Sequence, residues 1–320
     1  MLDFPFNWVP YKLIANEGRI QCSWLNTYGE PFNEPFFDET ILKCKGLDGG
    51  SHAARSSVSD LMMIAEWVRG INAVEPTAFI FHVSRCGSTL VSQLLAMLDE
   101  NVVLAEVPFF DDILRLPYKH PDYDQTAIAK LFTNAVKYYG QKRTGKEKSL
   151  FIKTDSWHLF FYRQLRQLYP AVPFIILYRK PDEVFSSHRK QPGMQAVNGL
   201  IESRLFGFDI NEVANMHPQD YLTVVIESYF KQCLEIAAID DQCLLLNYNE
   251  GPMQMIEKIA AFTKTPLTPY DILKMAERSR YHSKRQGELF AEENNPSLNL
   301  KLGKAIERYN LLEEKRKAAN

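Results

Sequence analysis

The chain has 320 residues, 46% of them hydrophobic and 24% charged, a globular composition that excludes a disordered, collagen-like or disulfide-stapled protein. Thirty-seven Lys and Arg against 39 Asp and Glu give a formal charge of −2, so no overall positive field favours nucleic acid and any anion site has to be local. Five cysteines (Cys22, Cys44, Cys86, Cys233, Cys243), odd in number and never spaced C-x-x-C, fit neither a disulfide framework nor a zinc cluster. They point to a reducing, cytoplasmic setting. The first residues lack a basic segment followed by an apolar one, and no apolar run approaches the ~18 residues of a membrane span. The seven histidines show no paired or H-E-x-x-H spacing, so no metal site is expected.

Taken in chain order, residues 1–75 are aromatic and broken by Pro and Gly, with Phe4, Phe6, Trp8, Tyr11, Trp24, Tyr28, Phe32, Phe36 and Phe37. Short strands and loops are expected there, then a helix over 57–68, as an appended layer whose aromatics pack against a sheet. From residue 78 short apolar runs alternate with amphipathic stretches: strand 78–83 then helix 89–98, strand 150–153 then helix 157–168, strand 174–178 then helix 182–188. That alternation predicts a parallel sheet with helical crossovers. A further short strand, 102–104, precedes an acidic turn at Glu106. Beyond come a long helix over 221–239, a strand at 243–246, and helices at 253–262 and 270–279. The charged tail 301–320 reads as a surface helix that frays. Three zones follow: an extension (1–75), a main domain (76–300) and the tail.

The most informative segment is Phe79-Ile80-Phe81-His82-Val83-Ser84-Arg85-Cys86-Gly87-Ser88-Thr89, an apolar strand entering a small polar turn that opens a helix. Gly87 removes the Cβ that blocks close approach to an oxyanion. Ser88 and Thr89 add hydroxyls, and the helix N-terminus adds its partial positive charge. Arg85 supplies a fork of donors. The Walker pattern is not met, since Ser88 and not Lys follows Gly87 and His82 stands where its first Gly would be, which weakens an ATPase reading. A sulfuryl group carries less charge than a terminal phosphoryl and needs less neutralisation by Lys and Mg²⁺. The plain alternative is a helix cap after a core strand. Cys86 as a nucleophile lacks any paired base in the nearby sequence.

A second strand ends at Arg179, followed by Lys180 and Pro181, with Ser187 eight residues after the Arg. Carboxyl ends of strands are where open α/β sheets bind ligands. The alternative for Arg179 is a surface cation paired with Asp182 or Glu183.

Arg85-Cys86-Gly87-Ser88-Thr89 resembles the 5′-phosphosulfate loop of sulfotransferases that use 3′-phosphoadenosine 5′-phosphosulfate. Arg179 with Ser187 resembles their 3′-phosphate motif. Cys86 departs from the usual Ser, and no Gly or Pro stands just upstream. The resemblance covers about residues 78–190 and implies a three-layer P-loop NTPase-like α/β fold with a central parallel sheet. It also implies metal-independent sulfuryl transfer to a hydroxyl or amine of a small-molecule or carbohydrate acceptor. Arg85, Cys86, Gly87, Ser88, Thr89, Arg179 and Ser187 would hold the donor nucleotide. In the tyrosylprotein and carbohydrate branches a Glu placed like Glu106 is the general base, and the family often has a Lys placed like Lys153 near the bridging oxygen, so the resemblance implies that Glu106, Lys153 and Arg85 are catalytic. Partial burial would make Glu106 a better base. Asp111 and Asp112 are rival carboxylates, and Lys153 has the alternative of bridging Asp155. The family's Gly-rich basic segment has no clear counterpart. The run Arg278-Ser279-Arg280-Tyr281-His282-Ser283-Lys284-Arg285 could replace it or be a solvated loop. The other function classes left open are a P-loop kinase or nucleotide hydrolase, and a non-catalytic nucleotide-binding protein. Neither acceptor identity nor oligomeric state is written in the sequence.

Overall fold

A computed structural model describes residues 6–47, 56–281, 283, 287–289 and 300–319. Phe4, His52 and, in the basic run, His282, Lys284 and Arg285 lie outside the described residues. Strands β1 (Trp8–Asn16) and β2 (Arg19–Asn26), helix α1 (Phe37–Gly46), strand β3 (Ser56–Asp60) and helix α2 (Met62–Trp67) open the chain. Strand β4 (Pro76–His82), α3 (Ser88–Leu95), β5 (Asn101–Ala105), α4 (Pro108–Lys119), α5 (Gln125–Tyr139) and β6 (Ser149–Lys153) follow. Then come α6 (Tyr162–Leu168), β7 (Phe174–Tyr178), α7 (Pro181–Lys190), α8 (Ile210–Val213), α9 (Pro218–Ile239) and β8 (Cys243–Asn247). Helices α10 (Pro252–Thr263), α11 (Pro269–Arg278) and α12 (Gly303–Ala319) complete it.

The fold is α/β: a five-stranded sheet of order β5-β6-β4-β7-β8, whose β4–β7, β5–β6 and β7–β8 pairs are parallel, as the alternating pattern predicts. The chain forms two compact units, Met1–Ala78 with Ser92–Thr154 and Phe79–Val91 with Asp155–Asn320.

In the first unit, β1, β2 and β3 form an antiparallel sheet, irregular at Pro10, whose missing N–H cannot join the ladder. The helix expected over 57–68 is wrong in its first half, because Ser56–Asp60 pairs with β2 from Leu25↔Ser56 to Gln21↔Asp60. Ser and Asp hydroxyls and carboxylates compete with a helix for backbone groups, and a waiting strand edge decides the contest. Ser59 Oγ accepts a hydrogen bond from Trp24 Nε1 at 2.8 Å. The extension's aromatics were expected on the parallel sheet, but Trp24 and Phe37 pack edge-on against Tyr138 and Tyr139 of α5, with ring centroids 5.0 and 5.2 Å apart. Helix α5 buries Ile128, Leu131, Phe132, Ala135, Val136 and Tyr139, an i, i+3, i+4 stripe. Its start is capped by Asp124, which accepts the Ala127 N–H at 2.7 Å.

In the second unit β7 lies between β4 and β8, and all five of its residues are buried, the continuous apolar run of a strand covered on both faces. The single helix expected over 157–168 is instead a 3₁₀ segment, Ser156–Phe161, leading into α6. Tertiary packing overrides the helical pattern there: Phe160 meets Phe206 and Tyr229 at 5.2 and 5.1 Å, and Ser156 Oγ accepts from the Tyr229 hydroxyl at 3.0 Å. The tail, expected to fray, is docked along α9 as α12, with Leu302, Ala305 and Leu312 buried. Among the described residues no helix is long and apolar enough to cross a membrane.

Candidate functional site

The turn after β4 is wound in the left-handed region at Ser84, Arg85 and Gly87, with φ of 66°, 52° and 77°. Such a winding is uncommon for residues with a Cβ. Windings with left-handed residues are those in which nests for oxyanions are built. The Ser84 N–H donates to His82 Nδ1 at 3.1 Å, so the strand's last residue braces the turn. Gly87 O accepts from Val91 N–H at 3.1 Å, which starts α3. Ser88 and Thr89, nearly buried, stand in its first turn.

Cys86 is buried and its thiol donates to the Leu177 carbonyl of β7 at 3.3 Å. The side chain that departs from the family pattern thus ties the turn to the sheet, a geometry that does not suit a nucleophile.

Arg85, Cys86, Gly87, Ser88 and Thr89 line one cleft of about 550 Å³ together with Arg179 and Ser187. Two motifs far apart in sequence meet because β4 and β7 pair in parallel, His82 opposite Leu177. Pro181 at the start of α7 winds the chain so that Ser187 comes round to the same cleft. Arg179 Nε donates to Glu183 Oε2 at 2.7 Å, the pairing weighed from sequence, and its guanidinium lies 4.4 Å from the centre of the Tyr248 ring. Arg85 donates through Nη2 to the Gln191 carbonyl. Both cations are pinned at the cleft, which limits the side-chain entropy lost on meeting an anion.

Tyr248, Lys190 and Gln191 also line the cleft and were missed from sequence. Tyr248 follows β8 within Asn247-Tyr248-Asn249-Glu250-Gly251, a polar turn at a strand's carboxyl end, and that position was the available signal. Its ring lies so close to the turn at 84–89 that a Cβ on Gly87 would stand 2.7 Å from two ring carbons. Of the basic run, Tyr281 and Ser283 line the cleft.

The catalytic candidates of the first unit form a pair. Glu106, one residue past β5, has φ of 56°, and its N–H donates to the Lys153 carbonyl at 2.8 Å. The Lys153 ammonium, with its side chain fully buried, bonds to Glu106 Oε1. Lys153 was given Asp155 as its alternative partner; the parallel register Ala105↔Lys153 brings Glu106 to it instead. The Phe36 ring lies 5.4 Å from the ammonium. Asp38, in the first turn of α1 and unremarked in the sequence, has its carboxyl raised above the usual range by burial and then by the charge of Glu106, against the pull of Lys45.

The rival carboxylates are engaged elsewhere. Asp111 bonds to Arg115 at 2.8 Å, and Asp112 accepts the Leu13 N–H at 2.9 Å. Burial raises the Asp112 carboxyl, offset in part by that N–H.

Comparison with family models finds no match, and none is found among curated proteins. The solved structures that the chain is similar to are sulfotransferases. STF9 from Mycobacterium avium is 16% identical, with 80% of this chain and 79% of that one covered and a TM-score of 0.45. STF1 from Mycobacterium tuberculosis H37Rv is 11% identical, with coverage of 91% and 89% and a TM-score of 0.44. Mouse SULT7A1, solved with PAP, is 12% identical, with coverage of 76% and 78% and a TM-score of 0.35. Likeness at this level leaves the site to be read from this chain's own residues.

Proposed function

We propose that the protein is a sulfotransferase that moves the sulfuryl group of 3′-phosphoadenosine 5′-phosphosulfate to a hydroxyl or amine of a small-molecule or carbohydrate acceptor. The observation that carries the reading is the single cleft in which the wound turn 84–89, Arg179 and Ser187 meet. It offers anion donors in two places, as a nucleotide phosphorylated at both 3′ and 5′ positions requires. Ser88 where a Walker Lys would stand favours sulfuryl over phosphoryl transfer, without a metal. In the proposed reaction the acceptor oxygen bonds to sulfur in line. The bond from sulfur to the 5′-phosphate oxygen breaks, its electron pair stays on that oxygen, and adenosine 3′,5′-bisphosphate leaves. The acceptor's proton passes to Glu106. Arg85 and the turn's N–H groups hold the 5′ end, and Arg179 with Ser187 holds the 3′-phosphate. Lys153 compensates charge on the leaving oxygen. The catalytic roles are supported by the placing of Glu106 and Lys153 at the carboxyl ends of parallel strands, with a cation already against the base. A cytoplasmic setting is part of the proposal, and the five cysteines, none of them in a disulfide, support it.

Calorimetry tests it. Adenosine 3′,5′-bisphosphate without Mg²⁺ should bind, and ATP with Mg²⁺ should not; the reverse result would move the protein to the kinases or hydrolases. Arg179→Ala should cost the bisphosphate about 1.5–3 kcal/mol, the worth of a charge-assisted contact. It should barely affect adenosine 5′-phosphosulfate, which lacks the 3′-phosphate. Equal losses remove Arg179 from its role.

A further inference from the structure

Among the described residues, strand β8 is an edge of the parallel sheet, bonded only to β7, and the turn that carries Tyr248 hangs from its end. Side chains of α12 hold that turn and the end of β7. The Tyr309 hydroxyl accepts from Asn247 Nδ2 at 2.9 Å. Arg316 Nη1 lies 3.1 Å from Glu250 Oε1, the same oxygen that accepts the Asn247 N–H at 2.8 Å to close the capping box around residues 247–250. Glu313, gripped by Arg316 through both carboxylate oxygens at 2.9 and 2.8 Å, accepts from the Tyr178 hydroxyl. Tyr178 is the residue immediately before Arg179.

The helix therefore holds the chain on both sides of the contact between Arg179 and the Tyr248 ring. The side chains of Glu250, Glu313 and Arg316 are only 8%, 14% and 13% exposed, so the links are little weakened by solvent, unlike ordinary surface pairs.

We propose that α12 is a positioning element of the nucleotide cleft: through Tyr309, Glu313 and Arg316 it sets the Tyr248 ring against Gly87 and Arg179. The ligand named here rests on the sulfotransferase reading; the mechanical link does not. Glu250 is clamped by Lys258 as well, so loss of Arg316 should loosen the turn without releasing all of it. Because Gly87 and the ring leave no spare space, a displaced Tyr248 disturbs both the turn and Arg179, and displacement on this scale is enough to cost binding.

The test uses the full chain carrying Arg316→Met, Arg316→Lys or Tyr309→Phe, well below its melting temperature so that every molecule is folded. Arg316→Met should raise the Kd for adenosine 3′,5′-bisphosphate about tenfold, and Arg316→Lys should recover most of it. Tyr309→Phe, which removes one neutral link and spares the fold if Arg316→Met does not, should act in the same direction and less. Amide exchange at residues 247–251 should quicken in Arg316→Met while that of β7 stays unchanged. A lower melting temperature with wild-type Kd and wild-type exchange at 247–251 would make α12 merely structural and overturn the proposal. If the wild type does not bind the bisphosphate, the sulfotransferase reading falls, and the exchange comparison still decides the role of α12.

Discussion

Replacing Gly87 with Ala places two separable costs on the turn between β4 and α3. The first is conformational: at φ of 77° an L residue is strained by about 1–2 kcal/mol. The second is steric. The new Cβ would stand 2.7 Å from two carbons of the Tyr248 ring, and forcing a packed group aside costs about 1–3 kcal/mol. Against these, Ala restricts the unfolded chain and returns about 0.4–1 kcal/mol. The net loss expected is therefore about 3 kcal/mol, a fall in melting temperature of roughly 6–12 °C for a unit of this size. The steric part has a partner that can be removed. In a cycle with Tyr248→Ala, the double variant should lose about 1–3 kcal/mol less than the sum of the singles, because only the backbone strain remains. Thermal or urea unfolding of the four proteins reads this directly. Strict additivity would show that the ring does not crowd the turn, and would undo the account of Gly87 and Tyr248 as a packed pair.

Glu106→Gln should lower kcat by about 10²–10⁴ with little change in bisphosphate affinity. Asp111→Asn and Asp112→Asn should each be mild in turnover, and full activity of the Gln variant would end the base assignment. The Gln variant should also lose stability, because the buried Lys153 ammonium exchanges a carboxylate for a neutral amide. Adding Lys153→Met should restore part of the melting temperature but none of the turnover. Acid stability should report Glu313: burial works to raise its carboxyl, but bonds from Arg316, Tyr178 and Asn247 hold it at about 2. The unfolded chain then takes up the proton first, so this contribution is complete above the ordinary carboxyl range and fades as the pH falls from roughly 4.5 towards 2. Urea midpoints measured across that window should fall less in Arg316→Met than in the wild type; parallel curves would refute the assignment.

The strands were legible because parallel-sheet strands must be apolar on both faces: residues 174–178 read as a strand and are one, without shift. The turn at 84–89 was legible as a turn because Gly87 and small polar residues stand between an apolar strand and an amphipathic helix. What escaped depends on partners distant in the chain. Ser56–Asp60 is a strand only because β2 offers an edge. Helix α12 looked like a surface tail because a sequence pattern cannot distinguish its charges that face water, such as Lys304 and Lys315, from Glu313 and Arg316, which face the Tyr178 hydroxyl and Glu250. Helices α1 and α5 were passed over altogether. The pairing of Lys153 with Glu106 needed the register of β5 on β6, which short strands do not announce.

The division of β4 between the two units bears on how the chain is made. The end of the strand and the turn that follows it, Phe79–Val91, belong with residues from Asp155 onward, and Phe79 pairs with Phe174. At the ordinary pace of synthesis, β7 emerges on the order of five to twenty seconds after β4, and β8 about eight to thirty. Until β7 arrives, Phe79-Ile80-Phe81 is a β-prone stretch with the β7 edge of its strand unpaired, the kind of segment that finds other nascent chains. Soluble yield should therefore respond to growth temperature and to chaperone supply during translation, and much less to substitutions that strengthen the finished fold.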